Sequence, residues 1–242
     1  MSRLENKGRA PLAVRFALFR WLFLLRKVFL TRSSRRYWSQ YGEEIGLDRV
    51  LNVSRPGFFV DVGCYHPTKY SNTFKLYRRG WRGVNIDLDE IKIAAFNLRR
   101  PGDTNIVAAV SDKEETVTLG STGFYTVTQT IDAGAIEKLR HRGVPVELKQ
   151  VRTRTLTGIL DETKYRGRKI TLLNIDVEGI ELKVLQSLDF ERYQPKVIIV
   201  EAHLRSLEEL AASELYNFLK QHGYTLFNWT GPSLLFLHPR EQ

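Results

Sequence analysis

The sequence predicts an α/β fold: a mostly parallel sheet with helices on both faces, closed by an antiparallel hairpin at the C-terminal end. Three observations carry this. From Tyr37 onward short apolar runs alternate with helical patterns, as they do in strand–helix–strand crossovers. Four of these runs end in an acid, namely Asp61, Asp87, Asp176 and Glu201, and parallel strands that end this way open into one crevice. The last two runs, Tyr224–Trp229 and Leu234–Leu237, flank Thr230-Gly231-Pro232-Ser233, the turn chemistry of a hairpin.

Gly57–Val62 is the first expected strand, and the Asp61-x-Gly63 that closes it breaks an apolar run into a turn where backbone can approach a ligand. A helix over Ser71–Arg79 leads to a second strand, Gly83–Leu88, and Glu90–Arg99 forms the next helix, stopped by Pro101-Gly102. Asn105–Val110 reads as strand three, and a Thr-rich strand at Thr116–Leu119 follows the turn over residues 111–115. Residues 120–150 lose this regularity apart from a helical stretch at Ala133–Arg140, and a segment that long between core elements reads as a lid or substrate insertion. Lys169–Asp176 is the fourth strand and Ile180–Leu188 its helix. Lys196–Glu201, nearly all β-branched, is a central buried strand, and Ser206–His222 is the last long helix.

At 242 residues and 43% hydrophobic content the chain suits one domain, residues 37–242, with an appendage, residues 1–36. A single cysteine, Cys64, excludes an internal disulfide framework and any cysteine-cluster metal site, in keeping with a reducing, cytoplasmic setting. The net charge of +10 would suggest nucleic acid if it were spread over the domain. Residues 1–40 hold ten Lys or Arg and one acid, Glu5, so they account for +9, and no nucleic-acid partner is expected.

On a helical wheel, Arg15, Arg20, Arg26 and Lys27 share an arc of roughly 140°. Val14, Ala17, Leu18, Trp21, Leu22, Leu24, Leu25, Val28 and Phe29 fill the other side. Within residues 12–30 no uncharged run exceeds five residues, too few to span a bilayer, so the segment is expected to lie on an anionic membrane surface, peripheral at the inner face. The competing reading packs this helix on protein; the sequence leaves the oligomeric state open.

Asp87 lies 24 residues beyond Gly63, the spacing at which an acid after the second strand holds a ribose hydroxyl. The turn Gly63-Cys64-Tyr65-His66-Pro67 lacks the further glycines that cradle a pyrophosphate, so a ribose-bearing cofactor without a diphosphate is indicated, and S-adenosylmethionine meets both conditions.

Several motifs then resemble one family, the FkbM-type S-adenosylmethionine-dependent methyltransferases. They are Ser39-Gln40-Tyr41-Gly42-Glu43-Glu44, Asp61-Val62-Gly63, Ser71-Asn72-Thr73, Gly80 to Asp87, Ala109 to Glu114, Ile175-Asp176-Val177-Glu178-Gly179 and Pro195 to Glu201. The resemblance implies a class I methyltransferase, Rossmann-like sheet with a reversed last strand, and methyl transfer to a hydroxyl, often of a sugar. It implies that Asp61 and Gly63 line the methionine part of the cofactor, Asp87 the ribose, and Ser111 with Asp112 the adenine; Tyr65, in the first turn, is a further candidate for binding the cofactor. Asp176 is placed both in that pocket and in catalysis. Gly63-Cys64-Tyr65 departs from the family's Gly-Ala-Asn.

Removing an alcohol proton needs a carboxylate, an imidazole or a metal-bound oxygen within reach, and Glu178 and His203 are the candidate bases. Asp176, Glu201 and His203 are the candidate ligands of a divalent cation, Mg or Mn. The expected acceptor is a small-molecule or lipid-linked glycan. Two alternatives remain: an NAD(P)-dependent oxidoreductase or epimerase on the same strand pattern, and a catalytically silent membrane-associated scaffold.

Overall fold

The structure, a computed structural model, describes residues 17–30, 37–52, 55–123 and 129–239. It divides into two compact units, Met1–Arg36 and Tyr37–Gln242. In the first, residues Ala17–Phe29 form helix α1; no helix among the described residues is long and apolar enough to cross a membrane.

The second unit begins with α2 (Glu43–Val50), entered through Gly42 at φ 85°, a left-handed value that a side chain resists. Glu43 is buried there because it accepts from the Tyr41 amide at 3.0 Å and from Ser233 Oγ at 2.9 Å, which fastens the entry loop to the far end of the chain. Strand β1 (Phe58–Val62) is buried throughout; α3 (Phe74–Arg78) and β2 (Arg82–Asp87) follow. Asp89 caps α4 (Glu90–Arg99) by accepting from the Ile91 and Lys92 amides, and β3 (Thr104–Val107) completes that half of the sheet.

The expected third strand divides. At Ala108 the amide turns to Asp87 O, ending the pairing with β2, and Ala109–Val110 becomes β4 in a second sheet. That sheet, ordered β4-β7-β5-β6, is built from β5 (Thr116–Ser121), β6 (Gln129–Thr130) and β7 (Glu147–Arg154), with α5 (Ala133–His141) between the last two. Part of the segment read as irregular is therefore strand, formed by pairing β7 antiparallel to β5 from Thr116↔Arg152 to Ser121↔Glu147.

After α6 (Leu156–Asp161) the chain re-enters the main sheet as β8 (Leu172–Ile175), then α7 (Glu181–Gln186), α8 (Phe190–Tyr193) and β9 (Val197–Glu201). The expected helix Ser206–His222 is two, α9 (Leu207–Ala212) and α10 (Glu214–Gln221). Ser213 between them is extended and caps α10 by accepting from the Tyr216 amide, a use of serine that competes with continuing the helix. Strands β10 (Thr225–Thr230) and β11 (Ser233–Leu237) form the hairpin.

The main sheet runs β10-β11-β9-β8-β1-β2-β3, with β11 antiparallel to its neighbours. Chain order reverses between β1 and β8, so a crevice opens at the C-terminal ends of those strands. Beneath it lies the core, with Phe58, Val60, Val84, Ile86, Leu173 and Ile198 among its fully buried side chains.

Candidate active site

A cavity of about 220 Å³ fills this crevice. Gly63, Tyr65, Asp87 and Lys92 line one part of it, Ala108, Ala109, Val110, Thr130 and Ile131 another, and Asp176, Glu178, Ile180 and Glu201 a third. The topology accounts for the grouping: β1, β2, β8 and β9 are parallel and in register, so residues that end them share one edge.

Gly63 has φ 81°, and a Cβ there would lie 1.6 Å from the Asp176 carbonyl oxygen. Only glycine lets the first turn and the end of β8 approach this closely. Next to it, Cys64 packs with Ile93 and Phe96, and burial pushes its thiol well above the usual range, so it serves packing rather than nucleophilic chemistry. His66 is also accounted for locally, its Nδ1 accepting from the Thr68 and Lys69 amides.

Asp87 accepts from the Asp89 amide at 2.8 Å and faces Lys92 Nζ at 3.5 Å. Burial outweighs the attraction of Lys92 and raises its carboxyl to about 6. Asp176 is raised well above the usual carboxylate range, first by burial and then by a hydrogen bond and like charge from Glu201. It keeps accessible surface because it opens onto the cavity, yet protein atoms and other acids crowd its carboxyl, and the shared proton rests on Asp176.

Glu178 occupies the left-handed region at φ 59°, strained for a residue with a side chain. Two contacts hold it: Thr130 Oγ1 donates to the Glu178 carbonyl at 2.9 Å, and Glu181 Oε1 accepts from the amides of Val177 and Gly179. Burial, then the charge of Asp176, raises its carboxyl. The ligand atoms of Glu178, Glu201 and His203 all lie within 4.8 Å of one another. Glu178 thus stands in this trio where the sequence suggested Asp176. His203 does not line the cavity; it sits at its rim, 75% exposed, 3.9 Å from Glu201.

The remaining expected cofactor residues are placed less directly. Asp61 does not line the cavity: Thr73 Oγ1 donates to its carboxylate at 2.6 Å and Asn174 Nδ2 at 2.8 Å, so it ties β1 to α3 and β8. Ser111 and Asp112 follow Val110, the last lining residue of that stretch, and Ser111 Oγ donates to Asp112. Thr130, Lys92 and Tyr70 line the cavity without having been singled out from the sequence, and Gln40 of the Ser39–Glu44 motif lines it as well. The first owes its place to the pairing of β6 with β5, which no local pattern marks.

Fold and cavity together have the class I methyltransferase architecture: a reversed last strand, an open crevice at the switch point, and a glycine turn facing an acid at the end of β2. The chain belongs to the FkbM methyltransferase family, whose domain model (Methyltransferase FkbM domain) matches residues 61–226, more than half of its length. Among solved structures it is similar to the methyltransferase FkbM from Methylobacillus flagellatus KT, with a TM-score of 0.51 and 16% identity over 84% of this chain and 48% of that one. The match thus spans about half of that relative. It is also similar to a TehB-like SAM-dependent methyltransferase from Corynebacterium glutamicum (TM-score 0.41, 12% identity, 93% of this chain and 97% of that one). A third is a methyltransferase from Geobacter sulfurreducens (TM-score 0.40, 14% identity, 96% and 90%). No curated protein matches the chain.

The family implies S-adenosylmethionine, and the cavity suits it. Asp87, Glu178 and Glu201 line the space with Lys92 as the basic residue among the described lining, a charge balance that favours a cation such as a sulfonium or an ammonium. Ile86, Leu88, Ala108, Ala109, Val110 and Ile131 offer apolar walls for a flat ring.

Proposed function

We propose that this chain is an S-adenosylmethionine-dependent O-methyltransferase acting on a sugar hydroxyl of a glycolipid or lipid-linked glycan at the cytoplasmic face of a membrane. The observation that carries the reading is the acidic cluster Asp176, Glu178 and Glu201 at the ends of β8 and β9, on the same cavity as Gly63 and Asp87. When bound, S-adenosylmethionine supplies an electrophilic methyl group, so the protein's task is to position the acceptor and remove its proton.

Asp87 is the acceptor for ribose hydroxyls, and the backbone at Gly63 leaves room for the methionine part. Glu178 takes the proton from the acceptor hydroxyl: its raised affinity for protons makes it a stronger base than a free carboxylate. His203, at the rim and within water-bridging distance, passes that proton to solvent. Asp176, already holding a proton against Glu201, orients the acceptor by hydrogen bonding rather than acting as base.

The test begins with extracted glycolipids. A strain lacking the gene should accumulate a glycolipid one methyl group lighter, and the purified chain with S-adenosylmethionine should convert it. Glu178→Gln should slow that conversion by about a hundredfold or more while S-adenosylmethionine affinity changes little. An unchanged glycolipid profile, or an unimpaired Gln variant, would refute this reading. Tight binding of NAD in place of S-adenosylmethionine would favour an oxidoreductase.

A further inference from the structure

We propose that α1 binds in the plane of an anionic lipid surface. The inference is independent of the acceptor proposed above. Its helix carries no acid, and Arg20, Arg26 and Lys27 lie within an arc of about 120° on the wheel. Trp21, Val28 and Phe29 are 66%, 65% and 75% exposed, and Leu22 and Leu25 beside them are also exposed.

Length and charge decide among occupants. The thirteen described residues rise about 20 Å, short of a hydrocarbon core of about 30 Å, and charges interrupt the sequence at Arg20, Arg26 and Lys27, which suits a helix lying along an interface. A second copy of α1 is disfavoured, since pairing would bring Arg20 and Lys27 of both copies together with no acid in either helix. Anionic headgroups supply the negative charge that the α1 sequence itself does not carry, and acyl chains take up the apolar side. Phe19 and Phe23 fall within the basic arc, so the helix seats with aromatic rings at the headgroup boundary and its long cationic side chains reaching outward.

The full chain is mixed with vesicles of phosphatidylcholine alone, or of phosphatidylcholine with phosphatidylglycerol, and sedimented. It should bind the anionic vesicles at least about tenfold more tightly, and salt should weaken that binding. Combined Arg20→Glu, Arg26→Glu and Lys27→Glu should cost on the order of a hundredfold, and Trp21→Asp with Phe29→Asp a similar amount. Calorimetric affinity for S-adenosylmethionine, expected to be unchanged in both variants, shows that the catalytic unit is folded. Absence of binding, equal binding to both vesicle types, or binding that neither variant alters would overturn the proposal. A wild-type dimer that Trp21→Asp disperses in the absence of lipid would assign α1 to a second copy instead.

Discussion

Asp87→Asn separates what a residue does for binding from what it costs in stability. In the folded chain the carboxyl is raised from 3.8 to about 6 by burial, with the attraction of Lys92 already included. At about 1.4 kcal/mol per pKa unit, the ionised form disfavours folding by about 3 kcal/mol at neutral pH. The sign follows from proton counting: between those two values the folded chain binds more protons than the unfolded one. The favourable contribution of the neutral carboxyl is therefore complete below about pH 3.8 and is lost as pH rises to about 6. Asparagine mimics the neutral form, keeps an acceptor for the Asp89 amide, and should be more stable than wild type by up to about 3 kcal/mol above pH 6.5, the gap closing towards pH 4. S-adenosylmethionine affinity should move the other way, falling about 10- to 100-fold at pH 7.5, because a charged acceptor contributes about 1.5–3 kcal/mol. Thermal melts of both proteins across pH 4 to 8, paired with calorimetry, read both effects. An asparagine variant that is less stable at pH 7.5, or that binds S-adenosylmethionine as wild type does, would refute the assignment.

Gly63→Ala should destabilise the fold by more than about 2 kcal/mol, since it combines a left-handed backbone with a Cβ placed 1.6 Å from the Asp176 oxygen; a melting temperature within a degree of wild type would count against the observed turn. Thr130→Val leaves the Glu178 carbonyl without its donor and should lower kcat about tenfold, with Thr130→Ser restoring it; loss of activity in both would indicate a packing role instead. Chelation by EDTA should leave activity intact, because Glu201 is engaged by the Asp176 carboxyl; a loss that Mg or Mn reverses would move Glu178, Glu201 and His203 from proton transfer to cation binding.

The main sheet was legible because its signals are local. Runs such as Phe58–Val62 and Val197–Glu201 are apolar but for one acid at or next to their ends, and parallel strands buried on both faces read this way. The second sheet was not. Strand β7, Glu-Leu-Lys-Gln-Val-Arg-Thr-Arg, is largely exposed and polar, and its pairing with β5, about thirty residues upstream, and at its end with β4 makes it a strand. Tertiary pairing decided there, and with it went the position of Thr130. Asp61 shows the converse: a motif position was legible, but Thr73 and Asn174 converge on it, and no sequence spacing reveals those partners.

These two gaps bear on the same atom group. Glu178 is held in a strained conformation by Thr130 from the second sheet and by Glu181 at the start of α7, while Asp61 braces β8, the strand that delivers it. Backbone strain of about 1–3 kcal/mol persists only where surrounding contacts over-determine it. Here those contacts come from both sheets, so the insertion that forms β5, β6 and β7 fixes the orientation of Glu178 as well as covering the cavity. Loosening that insertion should therefore impair proton removal at Glu178 before it disturbs the parallel sheet, because the pairing of β1 with β2 and β8 makes no use of the second sheet.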